Sequence, residues 1–132
     1  MPSSTSPDWF GRSVLSVSGL ALLTVTKLLD ALTTGVGLLY LPSVYEANPF
    51  IESMLHEMGI VAGLVVASAA VIAGITLVVE SCSVLVSTRR RDGHLAPVVR
   101  FVGYGPPSVL FAAVSVHNAS VLLSGVQMSV PL

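Results

Sequence analysis

Two residues with opposite charge, Lys27 and Asp30, stand inside a long apolar segment of this chain. Three-residue spacing places them on one face of a helix. Charge in the middle of a membrane-length run is costly, so it serves either function or helix assembly. Two readings follow: an ionisable site at Asp30 with Lys27 as its local counter-ion, or a self-neutralising pair that contributes packing alone. Thr33 and Thr34 carry the polar face one turn further, although such hydroxyls also bond to carbonyls one turn back. Beyond them comes an acidic, proline-closed turn, Glu46-Ala47-Asn48-Pro49. Late in the chain His117 and Asn118 interrupt another apolar run. Counted from the inner face, His117 falls at the depth of Asp30, in the outer half. A carboxylate and an imidazole at one depth can relay a proton or hold a cation. The alternative is that His117 and Asn118 tie helices together by hydrogen bonds of about 0.6 kcal/mol each. The candidate constellation is therefore Asp30, Thr33, Thr34, Glu46, Asn48, Pro49, His117 and Asn118.

No familiar catalytic pattern accompanies these residues. There is no HExxH, nucleophile elbow, phosphate loop or CxxC. A metal site would have to combine Asp30, Glu46 and His117, and nothing in their spacing demands one. The expectation is a non-enzymatic protein with no metal and no cofactor. The lone Cys82 lies in an apolar run and reads as a small buried residue.

The elements that must position the constellation follow from composition. The chain has 132 residues, of which 53% are hydrophobic and 10% charged. Soluble domains carry roughly 25% charged residues, so the deficit points to lipid as solvent. A net charge of −1 argues against nucleic acid as a partner. The lipid bilayer is the expected surrounding, with a second copy of the chain or another membrane protein as partner.

The spacing predicts an all-α membrane bundle of three spans, at about 13–41, 59–86 and 98–126. Residues 1–12 read as a loosely ordered tail, with Trp9, Phe10 and Arg12 suited to an interface. The first apolar run exceeds the h-region of a signal peptide and reads as a retained helix ending at Pro42. Asn48-Pro49 reads as an N-cap and first helical position. Phe50, Ile51, Met54, Leu55 and Met58 then recur at helical spacing, giving a short amphipathic helix over 49–58. Gly59, Gly63 and Ala67, four apart, form a small-residue ribbon that lets another helix approach. Residues 87–97 make a basic inner loop. In the third span, Gly103, Gly105 and Pro106-Pro107 allow a kinked helix, or an interfacial segment over 94–105 with the crossing starting at Pro106. Residues 127–132 read as a C-terminal tail. Glu80, near the inner end of the second span, is expected to pair with Arg100 if that segment packs on the bundle.

Orientation follows from Arg89, Arg90 and Arg91, joined by Arg12 and Arg100 at one face, while Glu46, Glu52 and Glu57 occupy the other. Positively charged loops stay on the cytoplasmic side. The expected protein is thus a multi-pass protein of the cell membrane, N-terminus cytoplasmic and C-terminus extracytoplasmic. Its activity reads as that of a structural, accessory or self-associating subunit, or alternatively of a proton- or cation-handling transporter.

The pattern Asp30-x-x-Thr33, a span end, then Glu46-x-Asn48-Pro49 and an apolar helix resembles an uncharacterised family of small archaeal and bacterial multi-pass membrane proteins. The resemblance covers about residues 20–80. It implies that Asp30, Thr33, Glu46, Asn48 and Pro49 act as one constellation, and it brings no activity with it.

Overall fold

A computed structural model describes residues 8–41, 44–88 and 93–129. The chain is all-α. Helix α1 spans Asp8–Tyr40, α2 Pro49–Met58, α3 Ile60–Thr88 and α4 Ala96–Ser129, with one 3₁₀ turn at Gly93–Leu95. Three of these helices are long and apolar enough to cross a membrane, over Val14–Tyr40, Ile60–Thr88 and Ala96–Gly125. Helix α1 begins earlier than the sequence reading, so part of the expected tail is helical. The arginine run Arg89, Arg90 and Arg91 lies outside the described residues, as does Pro42.

The inner half, nearest the α3–α4 turn, is where the three long helices close on one another. Its core is Leu23, Val79 and Tyr104, one from each helix, with Ile75 and Phe111 packed around them. Two glycines make this approach possible. A Cβ at Gly19 would lie 2.5 Å from Tyr104 Cδ2, and a Cβ at Gly103 would strike the Val79 side chain. The aromatic ring of α4 therefore lies directly on the backbone of α1, and the backbone of α4 receives Val79 of α3. At the turn, the buried Ser83 hydroxyl donates to the Ala96 carbonyl, 3.3 Å away.

Of the two possibilities for the third span, the continuous helix is the one formed. Pro106 and Pro107 sit inside α4, so the carbonyls of Val102 and Gly103 lose their usual i+4 donors. The preceding residues are nonetheless fixed to the bundle by the Tyr104 ring, the Gly103–Val79 contact and Arg100. In lipid, a helical backbone satisfies its own polar groups, which favours continuing the helix over an extended segment.

The opposite end carries the α1–α2 connection. Asn48 caps α2: its Oδ1 accepts from the Phe50 N–H at 3.0 Å, with Pro49 in the first turn. Glu46 Oε1 in turn accepts from the Asn48 N–H at 2.9 Å. The E-x-N-P sequence is thus a chain of caps that fixes the entry angle of α2. Ile51, Met54 and Leu55 are half-buried, while Phe50, Glu52, His56, Glu57 and Met58 are exposed, as an interfacial helix requires.

The small-residue ribbon divides. Gly63 and Ala67 are buried, and a Cβ at Gly63 would lie 2.8 Å from Leu55 Cδ2, so Gly63 receives α2. Gly59 does something else. It is exposed, ends α2 with φ +83°, and meets nothing within 4 Å. Its role is a left-handed turn that side-chain-bearing residues rarely adopt, and not helix contact.

Candidate functional site

Above the tight inner half, α1, α3 and α4 do not fill the space between them. A cavity of about 450 Å³ remains, covered by the α1–α2 connection. Its α1 wall carries Lys27, Asp30, Thr33 and Thr34. Helix α4 contributes Phe111 and Asn118, α3 contributes Ser68, and the covering segment contributes Tyr45, Glu46 and Asn48. Leu64, Val71, Val114 and Val121 supply apolar surface between the polar groups.

Lys27 Nζ donates to Asp30 Oδ2 at 2.5 Å, and the two side chains are only 13% and 12% exposed. The same ammonium lies over the Phe111 ring, 4.9 Å from its centroid, within the range of a cation–π contact. Asn118 Nδ2 donates to Thr34 Oγ1 at 3.0 Å and to Thr33 Oγ1 at 3.5 Å. This bond ties α4 to α1 at the level of the cavity. The Thr33 hydroxyl itself donates one turn back, to Leu29 O at 3.0 Å and Asp30 O at 3.1 Å.

Ser68 differs from its peers. Thr26, Ser108 and Ser115 each bond to a carbonyl one turn back, the usual arrangement for a hydroxyl in an apolar helix. Ser68 is 3% exposed and its Oγ has no partner among the described residues. A buried hydroxyl without a partner costs about 1–3 kcal/mol. One that lines a cavity is placed to bond to whatever enters it.

Most of the constellation read from the sequence therefore converges: Asp30, Thr33, Thr34, Glu46, Asn48 and Asn118 all border this cavity, with Lys27 beside them. Two residues do not. Pro49 is exposed at the start of α2 and serves the helix end. His117 is exposed and does not line the cavity; its neighbour Asn118 turns inward instead. The two neighbours stand about 100° apart round α4, which takes His117 off the cavity wall. No group of three or more His, Cys, Asp or Glu residues able to hold a metal occurs among the described residues.

Ser68 and Phe111 were not singled out in the sequence. Ser68 had a signal, being the lone polar residue in the outer half of α3. Phe111 had none, because its position depends on how α4 is rotated against α1.

A second polar cluster sits in the inner half. Arg100 Nη2 donates to Glu80 Oε2 at 2.9 Å, Arg100 Nε to the same oxygen at 3.2 Å, and the Tyr104 hydroxyl to Glu80 Oε1 at 3.0 Å. This is the ion pair expected between α3 and α4, with Tyr104 added. A carboxylate held by the Arg100 guanidinium, the Tyr104 hydroxyl and Ser16 of α1 is a fastening between helices, and it borders no part of the cavity.

A scan of protein-family models, a search of curated proteins and a search of solved structures each find no match to this chain. What the fold and site define is a class: a small, all-α protein with three membrane-capable helices and, toward the α2 end, a partly open cavity whose mostly apolar wall carries several polar groups.

Proposed function

We propose that this chain is a non-enzymatic multi-pass protein of the cell membrane that handles a small monovalent cation at the cavity. Its N-terminus is cytoplasmic and its cavity opens toward the extracytoplasmic face, because the arginine-rich loop belongs to the opposite end. The observation that carries the cation reading is the charge of the lining. Two carboxylates, Asp30 and Glu46, border the cavity against one ammonium, Lys27. Lys27 is committed to Asp30, and Glu46 takes part in neither ion pair formed among the described residues. The cavity therefore has negative charge to spare and oxygen acceptors on three helices. Of the residues that resemble the D-x-x-T and E-x-N-P family pattern, Asp30, Thr33, Glu46 and Asn48 fall on its wall and cover while Pro49 does not, which supports those four acting as one unit.

The structural or accessory reading has one observation in its favour: Glu46, Asn48 and Pro49 are all used in capping α2. One experiment separates the two. The full chain and its Asp30→Asn variant are placed in liposomes, and uptake of potassium, sodium and ammonium ions is followed. The expected result is cation uptake by the parent chain and at least tenfold less by the variant, both eluting at the same size in detergent. Equal uptake by the two overturns the cation reading. A variant that loses a partner or a second copy, with no uptake by either protein, replaces it with the accessory one.

A further inference from the structure

The inference concerns what kind of cation the cavity takes, and it rests on the cation reading above. We propose that the ligand is an organic ammonium ion, and that the Lys27 side chain is a built-in stand-in for it. The place where Lys27 ends is an ammonium site in every chemical respect. Its Nζ is bonded to a carboxylate, Asp30 Oδ2, and lies 4.9 Å from the centre of the Phe111 ring. A carboxylate with an aromatic face beside it is the arrangement that binds alkylammonium groups. An alkali ion has different needs: several oxygens closing round it, with no use for a ring.

Size points the same way. At about 30 Å³ per water, a cavity of about 450 Å³ has the volume of some fifteen waters. That is far more than a bare metal ion fills, and it lies within the roughly 300–1,000 Å³ of small-molecule sites. The apolar side chains Leu64, Val71 and Val114 suit the carbon part of such a ligand, and the unpartnered Ser68 hydroxyl supplies a hydrogen bond beyond the charge. The covering segment adds a second carboxylate, Glu46, to the cavity border.

Lys27 can yield this place. It precedes Asp30 on the helix, the less favourable order for such a pair, and its Nζ borders an open volume large enough to take the displaced side chain. While it stays, it competes with the ligand as an intramolecular partner of Asp30. Removing its charge should therefore tighten ligand binding and not weaken it, the opposite of what a direct ligand-contacting residue would do.

The test uses the full chain in nanodiscs, with methylammonium and tetramethylammonium as probes and potassium as the comparison, read by calorimetry and by the shift in unfolding temperature. Lys27→Gln is the main variant, since an amide still donates to Asp30 and keeps the carboxylate partnered. The expected result is ammonium binding by the parent chain, about tenfold tighter binding in Lys27→Gln, and about tenfold weaker binding in Phe111→Leu. Phe111→Tyr, which keeps the ring, should bind as the parent does. Potassium bound as tightly as either ammonium, with Phe111→Leu unchanged, overturns the ammonium proposal and leaves the cation reading standing. Binding of no cation by any of these proteins overturns both. Weaker ammonium binding in a folded Lys27→Gln refutes the stand-in role.

Discussion

Replacing Asp30 by Ala while Lys27 remains is expected to lower the unfolding free energy by about 3–5 kcal/mol, the usual result of orphaning one member of a buried ion pair. Both side chains are under 15% exposed, so the wall of the cavity leaves little room for water to replace the lost partner. Lys27 would keep its Phe111 contact and lose the one anion it meets among the described residues. The same logic makes the double change Lys27→Met with Asp30→Leu close to neutral, since apolar residues of similar volume replace a buried pair at little cost. The contrast between single and double changes, measured by reversible unfolding in mixed micelles, separates two roles. If the pair serves packing alone, the double variant keeps everything the protein does. On the reading given above it keeps the fold and loses cation binding. A single Asp30→Ala variant as stable as its parent would show that Asp30 is neutral or solvated in the membrane-inserted protein.

Gly103→Ala is the second change with a large expected effect. The new Cβ would run into both methyls of Val79, on the facing helix, where no flexible chain end can swing aside. Overpacking of this kind costs about 1–3 kcal/mol, and the site sits beside Leu23, Val79 and Tyr104, the small core that joins all three long helices. Shortening the neighbour should relieve it: Gly103→Ala combined with Val79→Ala is expected to recover most of the loss. Gly74→Ala is the control, because a Cβ there meets nothing within 4 Å and a helix gains slightly from alanine. Thermal unfolding of the four proteins checks the series. Equal stability of Gly103→Ala and Gly74→Ala would mean that α3 and α4 do not approach as described.

The spans were legible in the sequence because lipid imposes a coarse rule. A run of some 20 apolar residues has few alternatives to a crossing helix, and Pro49 and Asn48 announce the start of α2 by their own local chemistry. The continuity of α4 was not legible. Two adjacent prolines weaken a helix locally, and only the contacts of Tyr104, Gly103 and Arg100 with the other helices decide that it continues. Depth in the bundle could be counted along each span, which put His117 near the level of Asp30; in the structure its neighbour Asn118 reaches Thr34, one turn beyond Asp30. Rotation could not. His117 and Asn118 are neighbours, so they stand about 100° apart round the helix, and the sequence holds no reference that says which faces α1. The same gap hid Phe111, whose contact with Lys27 depends wholly on the rotation of α4. Gly59 shows a different limit: glycine four residues from glycine looks like a packing ribbon, yet its φ of +83° belongs to a turn.

The most direct measurement of an outward-facing, cation-selective cavity is thiol labelling at its unpartnered hydroxyl. Ser68→Cys, in a Cys82→Ser background that leaves no other thiol, is exposed in sealed vesicles to charged methanethiosulfonates of similar size, with Arg90→Cys as the marker of the opposite face. The expected result is labelling of position 68 from the extracytoplasmic side, at least tenfold faster with the cationic reagent than with the anionic one, and labelling of position 90 only from the cytoplasmic side. Labelling of position 68 from the cytoplasmic side alone, or at equal rates by both reagents, would contradict it.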